Sequence, residues 1–172
     1  MPATYKSIKD VGNVNRMGGL QQRILLCPYG DITTLQEPVD YKVTTAHTCA
    51  TGKGFIEVYS TKDLASVLLE AMGGPDRQSL KGKAEFYLPG ESDDAVTLFN
   101  LAKNDRFIVL APLPGSTEMI QCGDKEFQVN IRATYDTGKN SGDGRGMKFE
   151  LEWFAANLVK YTAATVTMKP TA

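Results

Sequence analysis

Apolar and polar residues alternate most strictly in two segments, 125–135 and 147–153. Phe127, Val129, Ile131, Ala133 and Tyr135 are interleaved with Gln128, Asn130, Arg132 and Thr134. Met147, Phe149, Leu151 and Trp153 are interleaved with Lys148, Glu150 and Glu152. A strand turns successive side chains to opposite faces, so each segment predicts a half-buried strand with one apolar and one charged face. The two together predict an antiparallel pair. The eleven residues between them, 136–146, include four glycines. That is longer than an ordinary hairpin loop.

Other segments carry weaker patterns. QQRILLCP predicts a strand over 21–27, stopped by Pro28, and Tyr29-Gly30-Asp31 is turn chemistry. Val39, Tyr41 and Val43 alternate with Asp40 and Lys42, which predicts an exposed strand or hairpin arm within a polar, Thr-rich stretch. Strands are predicted at 54–60, 83–90 and 116–122, with a last one in the tail after Lys160. The five consecutive apolar residues of RFIVLAP, 106–112, leave no polar face and predict a strand buried on both sides. Gly123-Asp124 reads as a two-residue hairpin turn.

Two helices are expected. Ser60 and Thr61 offer caps, Leu64, Val67, Leu68 and Ala71 fall on one helical face, and Gly73-Gly74-Pro75 supplies the stop. Ser92 caps the second, with Asp93 and Asp94 in its first turn and Ala95, Leu98, Phe99 and Ala102 as its apolar face. Roughly eight strands and two helices without a βαβ rhythm give the fold class: α+β and β-rich, a mostly antiparallel sandwich or barrel with one or two packed helices. The 172 residues form a single domain, 1–172, with an extended N-terminal arm at 1–19 and a long loop or hairpin arm at 28–54.

Composition narrows the function classes. Nineteen Lys and Arg stand against twenty Asp and Glu, which disfavours a dedicated nucleic-acid-binding module. The polar N-terminus does not read as a secretory signal, and no run is long enough for a membrane helix. Cys27, Cys49 and Cys122 are odd in number and widely spaced, so they read as small hydrophobes in a reducing compartment. His47 is the sole histidine, and any Ser-His-Asp or Cys-His chemistry would have to use it. Its polar, Thr-rich surroundings predict an exposed loop or edge residue instead. Gly52-Lys53-Gly54 and Gly138-Lys139-Asn140 lack the spacing of a phosphate loop. Asp136, Asn140 and Asp143 do not follow a calcium-loop pattern. The pair Glu150 and Glu152 reads as a solvated strand face beside Arg132 and Lys148. No catalytic, cofactor-binding or metal-binding residue is assigned, no cofactor is expected, and the chain reads as a non-enzyme.

The order of elements resembles that of the divergent phage tail tube proteins. The resemblance is carried by MGGLQQRILLCPYGDI (17–32), GFIEVYSTKDL (54–64), FYLPG (86–90), NDRFIVLAPLPG (104–115) and TYDTGKNSGDGRGMKFELEW (134–153). It implies a structural virion protein, assembled in the host cytoplasm into stacked homohexameric rings around a channel for DNA passage. It implies partners in tape-measure and terminator proteins, leaves a sheath open, and implies neither sequence-specific DNA binding nor a membrane. A tail terminator or connector ring is the alternative, and a small ligand-binding β-barrel a third reading.

Overall fold

The computed structural model describes residues 4–171. In chain order the elements are β1 (Arg23–Pro28), a single 3-10 turn (Tyr29–Asp31), β2 (Ile32–Thr34), β3 (Lys42–Val43), β4 (Thr48–Cys49), β5 (Ile56–Tyr59), β6 (Ser66–Met72) and β7 (Ser79–Pro89). Then follow α1 (Asp93–Ala102), β8 (Phe107–Pro112), β9 (Met119–Cys122), β10 (Asn130–Asp136), β11 (Gly146–Ala155) and β12 (Lys160–Tyr161). A six-stranded sheet has the order β3-β12-β9-β8-β1-β5, a four-stranded sheet the order β10-β11-β7-β6, and β2 pairs with β4 alone. All these pairings are antiparallel except that of β12 with β3. The two larger sheets pack face to face as an open sandwich, β-rich and α+β, and neither closes into a barrel.

The unbroken apolar runs of β1 and β8 follow from burial on two sides. Ile24, Leu26, Val109 and Ala111 pack against Phe86, Phe149, Leu151 and Trp153 of the four-stranded sheet. On the opposite face, Leu25, Cys27, Ile108 and Leu110 pack against Val43, Phe55 and Tyr161. Residues 28–54 form a long hairpin that folds back over this face. β2 and β4 pair as a short ladder, while Val43 and His47 are buried over this second face.

The segment expected as a first helix is the edge strand β6. Asp63 takes a left-handed φ of 65° inside a turn closed by the Leu64 N–H on the Thr61 carbonyl, which stops a helix from starting. Beyond it, Val67 and Leu69 point to the core while Leu68 is half exposed. The apolar run fits both a 3.6 and a 2.0 period, and seven register pairs with β7 decide for the strand. Ser60 is no cap: its buried hydroxyl accepts the Tyr87 N–H at 3.3 Å.

Two further readings are corrected. The alternation at 39–43 is interrupted by a tight turn, with Asp40 and Tyr41 at φ 50° and 63° and a bridge between Val39 and Lys42. Positive φ at both central residues matches the twist of a two-residue hairpin. Gly123-Asp124 does not join neighbouring strands, because β9 and β10 lie in different sheets. Asp124 instead caps a turn, its carboxylate accepting the N–H groups of Glu126 and Phe127, and regular pairing of the next strand begins at Asn130.

The second helix forms where expected. Ser92 Oγ accepts the Ala95 N–H at 3.3 Å, and Asp93 and Asp94 occupy the first turn. Ala95 and Ala102 are buried, and Phe99 meets Phe149 edge-on at 6.5 Å.

Candidate assembly surface

The β10–β11 pair has the register its alternation implies, Ile131 opposite Leu151 and Arg132 opposite Glu150. Met147, Phe149, Leu151 and Trp153 are all buried against the core. The outer face of the four-stranded sheet is a shallow concavity of about 490 Å³, lined by Leu68, Lys83, Glu85, Arg132, Glu150 and Glu152 among others. Glu85 and Glu150 stand directly opposite each other. Like charges in that position repel, and Lys148 lies between them, 3.3 Å from one and 3.4 Å from the other. Those two carboxylates hold the Lys148 ammonium above its ordinary range, Glu85 contributing most. Lys81 bonds Glu152 at 2.7 Å and lowers its pKa. The face thus carries both signs in close pairs.

The sheet also ends in two open edges, β6 and β10, each of seven residues. Strand direction alternates through the order β10-β11-β7-β6, because every pairing is antiparallel. β6 and β10 therefore run in opposite directions. An open edge presents unpaired N–H and C=O groups to any strand that can pair with it.

The glycine-rich loop is tied at its base. Glu91 accepts from the Tyr135 hydroxyl at 3.2 Å and from Arg145 Nε at 3.1 Å, and Asp136 accepts the Gly138 N–H. Its charged residues form no metal-ligand cluster, and none occurs among the described residues. At Gly54 a Cβ would meet the backbone of Lys169 and Met168 at 2.5 Å, so the chain tail packs on that turn instead of leaving an anion cradle.

His47 departs most from expectation. It is only 1% exposed. Its Nδ1 accepts the Gln36 N–H at 2.9 Å, which assigns the proton to Nε2, and Nε2 donates to Gln121 Oε1 at 2.8 Å. Tyr161 and Phe55 flank the ring. Burial lowers its pKa, with the Gln121 bond opposing. Both nitrogens are satisfied by neutral partners, and neither a carboxylate nor a nucleophile is bonded to the ring, so it is a buried neutral strut. Sequence reading missed this because its partners lie 11 and 74 residues away.

Cys27 and Cys122 are fully buried and Cys49 partly so. Desolvation, aided by nearby Cys49 and Asp31, pushes the Cys27 thiol up to about 12. Such thiols are poor nucleophiles. No helix among the described residues is long and apolar enough to cross a membrane. Comparison with protein-family models, curated proteins and solved structures yields no match.

Proposed function

We propose that this chain is a structural subunit, a phage tail tube protein, that assembles into homohexameric rings stacked around a channel for DNA. The observation that carries this reading is the four-stranded sheet, with one face in the core, one face of paired charges and two open edges of opposite direction. Placing β6 of one subunit beside β10 of the next continues the antiparallel alternation without a break. Such a contact uses two different surfaces of the same chain, and repeated by rotation it closes a ring. The charged face would then line the channel. On this face Lys81, Lys83, Arg132 and Lys148 are balanced by Glu70, Glu85, Glu150 and Glu152, so such a lumen would hold no net surplus to retain the DNA backbone.

On this reading the protein carries no catalysis. Its partners are further copies of itself, tape-measure and terminator proteins, and its place is the virion tail. Electron microscopy of the purified protein tests it. Rings or tubes with a central channel are expected. A monodisperse monomer at high concentration overturns the reading, and rings that never stack shift it to a terminator or connector.

A further inference from the structure

Cys27 and Cys49 meet where the chain leaves the six-stranded sheet. β1 ends at Pro28, and the 3-10 turn at Tyr29–Asp31 carries the chain into β2. β4 returns antiparallel beside β2, with Cys49 opposite Ile32 and the Ala50 N–H on the Asp31 carbonyl at 2.9 Å. Both cysteines join the cluster on the second face of β1. Cys27 is fully buried within it, and Cys49 packs against it while staying partly exposed. The Cys27 S–H donates to the Cys49 sulfur.

The third cysteine is walled off. Cys27 stands opposite Ile108, and both face the second cluster. Cys122 stands opposite Val109, and both face the core between the sheets. The backbone of the six-stranded sheet therefore separates Cys122 from the other two. The remaining pair differs in access. Desolvation raises the Cys49 thiol, the Cys27 S–H opposes by stabilising a thiolate there, and Asp31 adds to the rise. Cys27 is sealed from solvent. A small disulfide reagent therefore reaches Cys49 first.

We propose that Cys27 and Cys49 are a latent disulfide site, closed when the folded chain meets a small oxidising disulfide such as oxidised glutathione. The Cys49 thiolate attacks one sulfur of that reagent, whose S–S bond breaks and releases one glutathione thiolate. Cys27 then gives its proton to solvent and attacks the Cys49 sulfur of the mixed disulfide, which releases the second glutathione thiolate. Both released thiolates take up protons. Two cysteine thiols are oxidised and one glutathione disulfide is reduced to two thiols. Cys27 is a weak nucleophile, but its contact with Cys49 makes the second step intramolecular. The two sulfurs have only to close from contact to about 2 Å. The bond ties the 28–54 hairpin to β1 and holds it over Val43, Phe55 and Tyr161. It persists in an oxidising medium and opens in a reducing one. It does not depend on the assembly proposed above, and its failure leaves that reading intact.

Oxidised glutathione added to the full-length folded protein tests it. Free thiols are then blocked with iodoacetamide, and tryptic peptides are read by mass spectrometry. Trypsin cuts after Lys42, so a bond between the two cysteines joins peptide 24–42 to peptide 43–53. That joined peptide is expected, with Cys122 unlabelled until the protein is denatured. The melting midpoint of the oxidised protein should rise by roughly 5–10 °C, from closing a loop of this length. Dithiothreitol should return it to the starting value, and Cys49→Ser should show neither link nor rise. Absence of the joined peptide, a Cys49 that stops at the glutathione mixed disulfide, a link to Cys122 or a link between two chains each overturns the proposal. Labelling of Cys122 before denaturation would mean that the bond forms through an unfolded chain, and overturns it too. A joined peptide without a rise in midpoint overturns the hold on the hairpin.

Discussion

β8 and β11 lie in facing sheets and are both built on a buried apolar row, yet they differ in what covers their second side. All six residues of β8 are buried, because residues 28–54 and the tail after Lys160 pack on the face that the sandwich leaves open. In β11, Met147, Phe149, Leu151 and Trp153 are buried while Lys148, Glu150 and Glu152 face solvent. A continuous apolar run thus reports two covered faces, and strict alternation reports one. The difference teaches where this chain keeps a surface in reserve: the alternating sheet retains a polar face and free edges, whereas the central strands β1 and β8 of the facing sheet retain neither face.

Substitution at the doubly covered strand should have the largest effect. Leu110→Ala leaves a cavity beside Val43 and Tyr161 and is expected to cost roughly 2–5 kcal/mol. Glu150→Ala, on the free face of β11, should stay within about 0.5 kcal/mol. Chemical denaturation measures both, and equal losses would break the comparison.

Next is Gly82, which faces Trp153 across the β7–β11 ladder. A Cβ there would fall 2.1 Å from the indole ring. Gly82→Ala should therefore destabilise by about 1–3 kcal/mol through overpacking. Trp153→Leu should absorb much of that loss, giving a non-additive double mutant. Additive losses would mean that the close approach is not what requires glycine.

A smaller contrast separates strand from helix at 66–72. In β6, Leu69 packs on the core and Leu68 faces out. Leu69→Ser should cost about 1–2 kcal/mol more than Leu68→Ser, from lost apolar burial. The helical periodicity places Leu68 on the apolar face instead, so the opposite ranking would restore the helix.

The smallest effect expected is in pH dependence. The folded-state pKa of His47 lies below its ordinary 6.5. Above 6.5 the ring is neutral in both folded and unfolded chains. As pH falls below 6.5 the unfolded chain takes up a proton that the folded chain resists, so stability declines until pH passes the folded value. In His47→Asn this component of the decline should vanish. Thermal unfolding across pH 4–8, a range set about the ordinary histidine value, reads it, and an unchanged slope would place the acid sensitivity elsewhere.

How much was legible follows from the range of each signal. The strands at 106–112 and 147–153 and the helix after Ser92 were readable because their patterns are local: period two, an unbroken apolar run, and a cap followed by acids. The candidate surface was half legible. Its outward charges Arg132, Lys148, Glu150 and Glu152 were visible in the alternation, but not the concavity or the pairing of Lys148 with Glu85. The segment 64–72 was misread because its apolar residues satisfy two periods at once. His47 was misread because burial is not encoded by neighbours such as Thr45 and Thr48.

By itself, then, the sequence determined which residues lie on which face of β8, β10, β11 and α1. Side-chain direction within one element depends only on backbone period. Tertiary structure alone decided which faces are covered, that 66–72 is a strand, and that His47 is neutral and enclosed. Each of these depends on partners far away in the chain, whose approach is fixed by packing, not by the local order of residues.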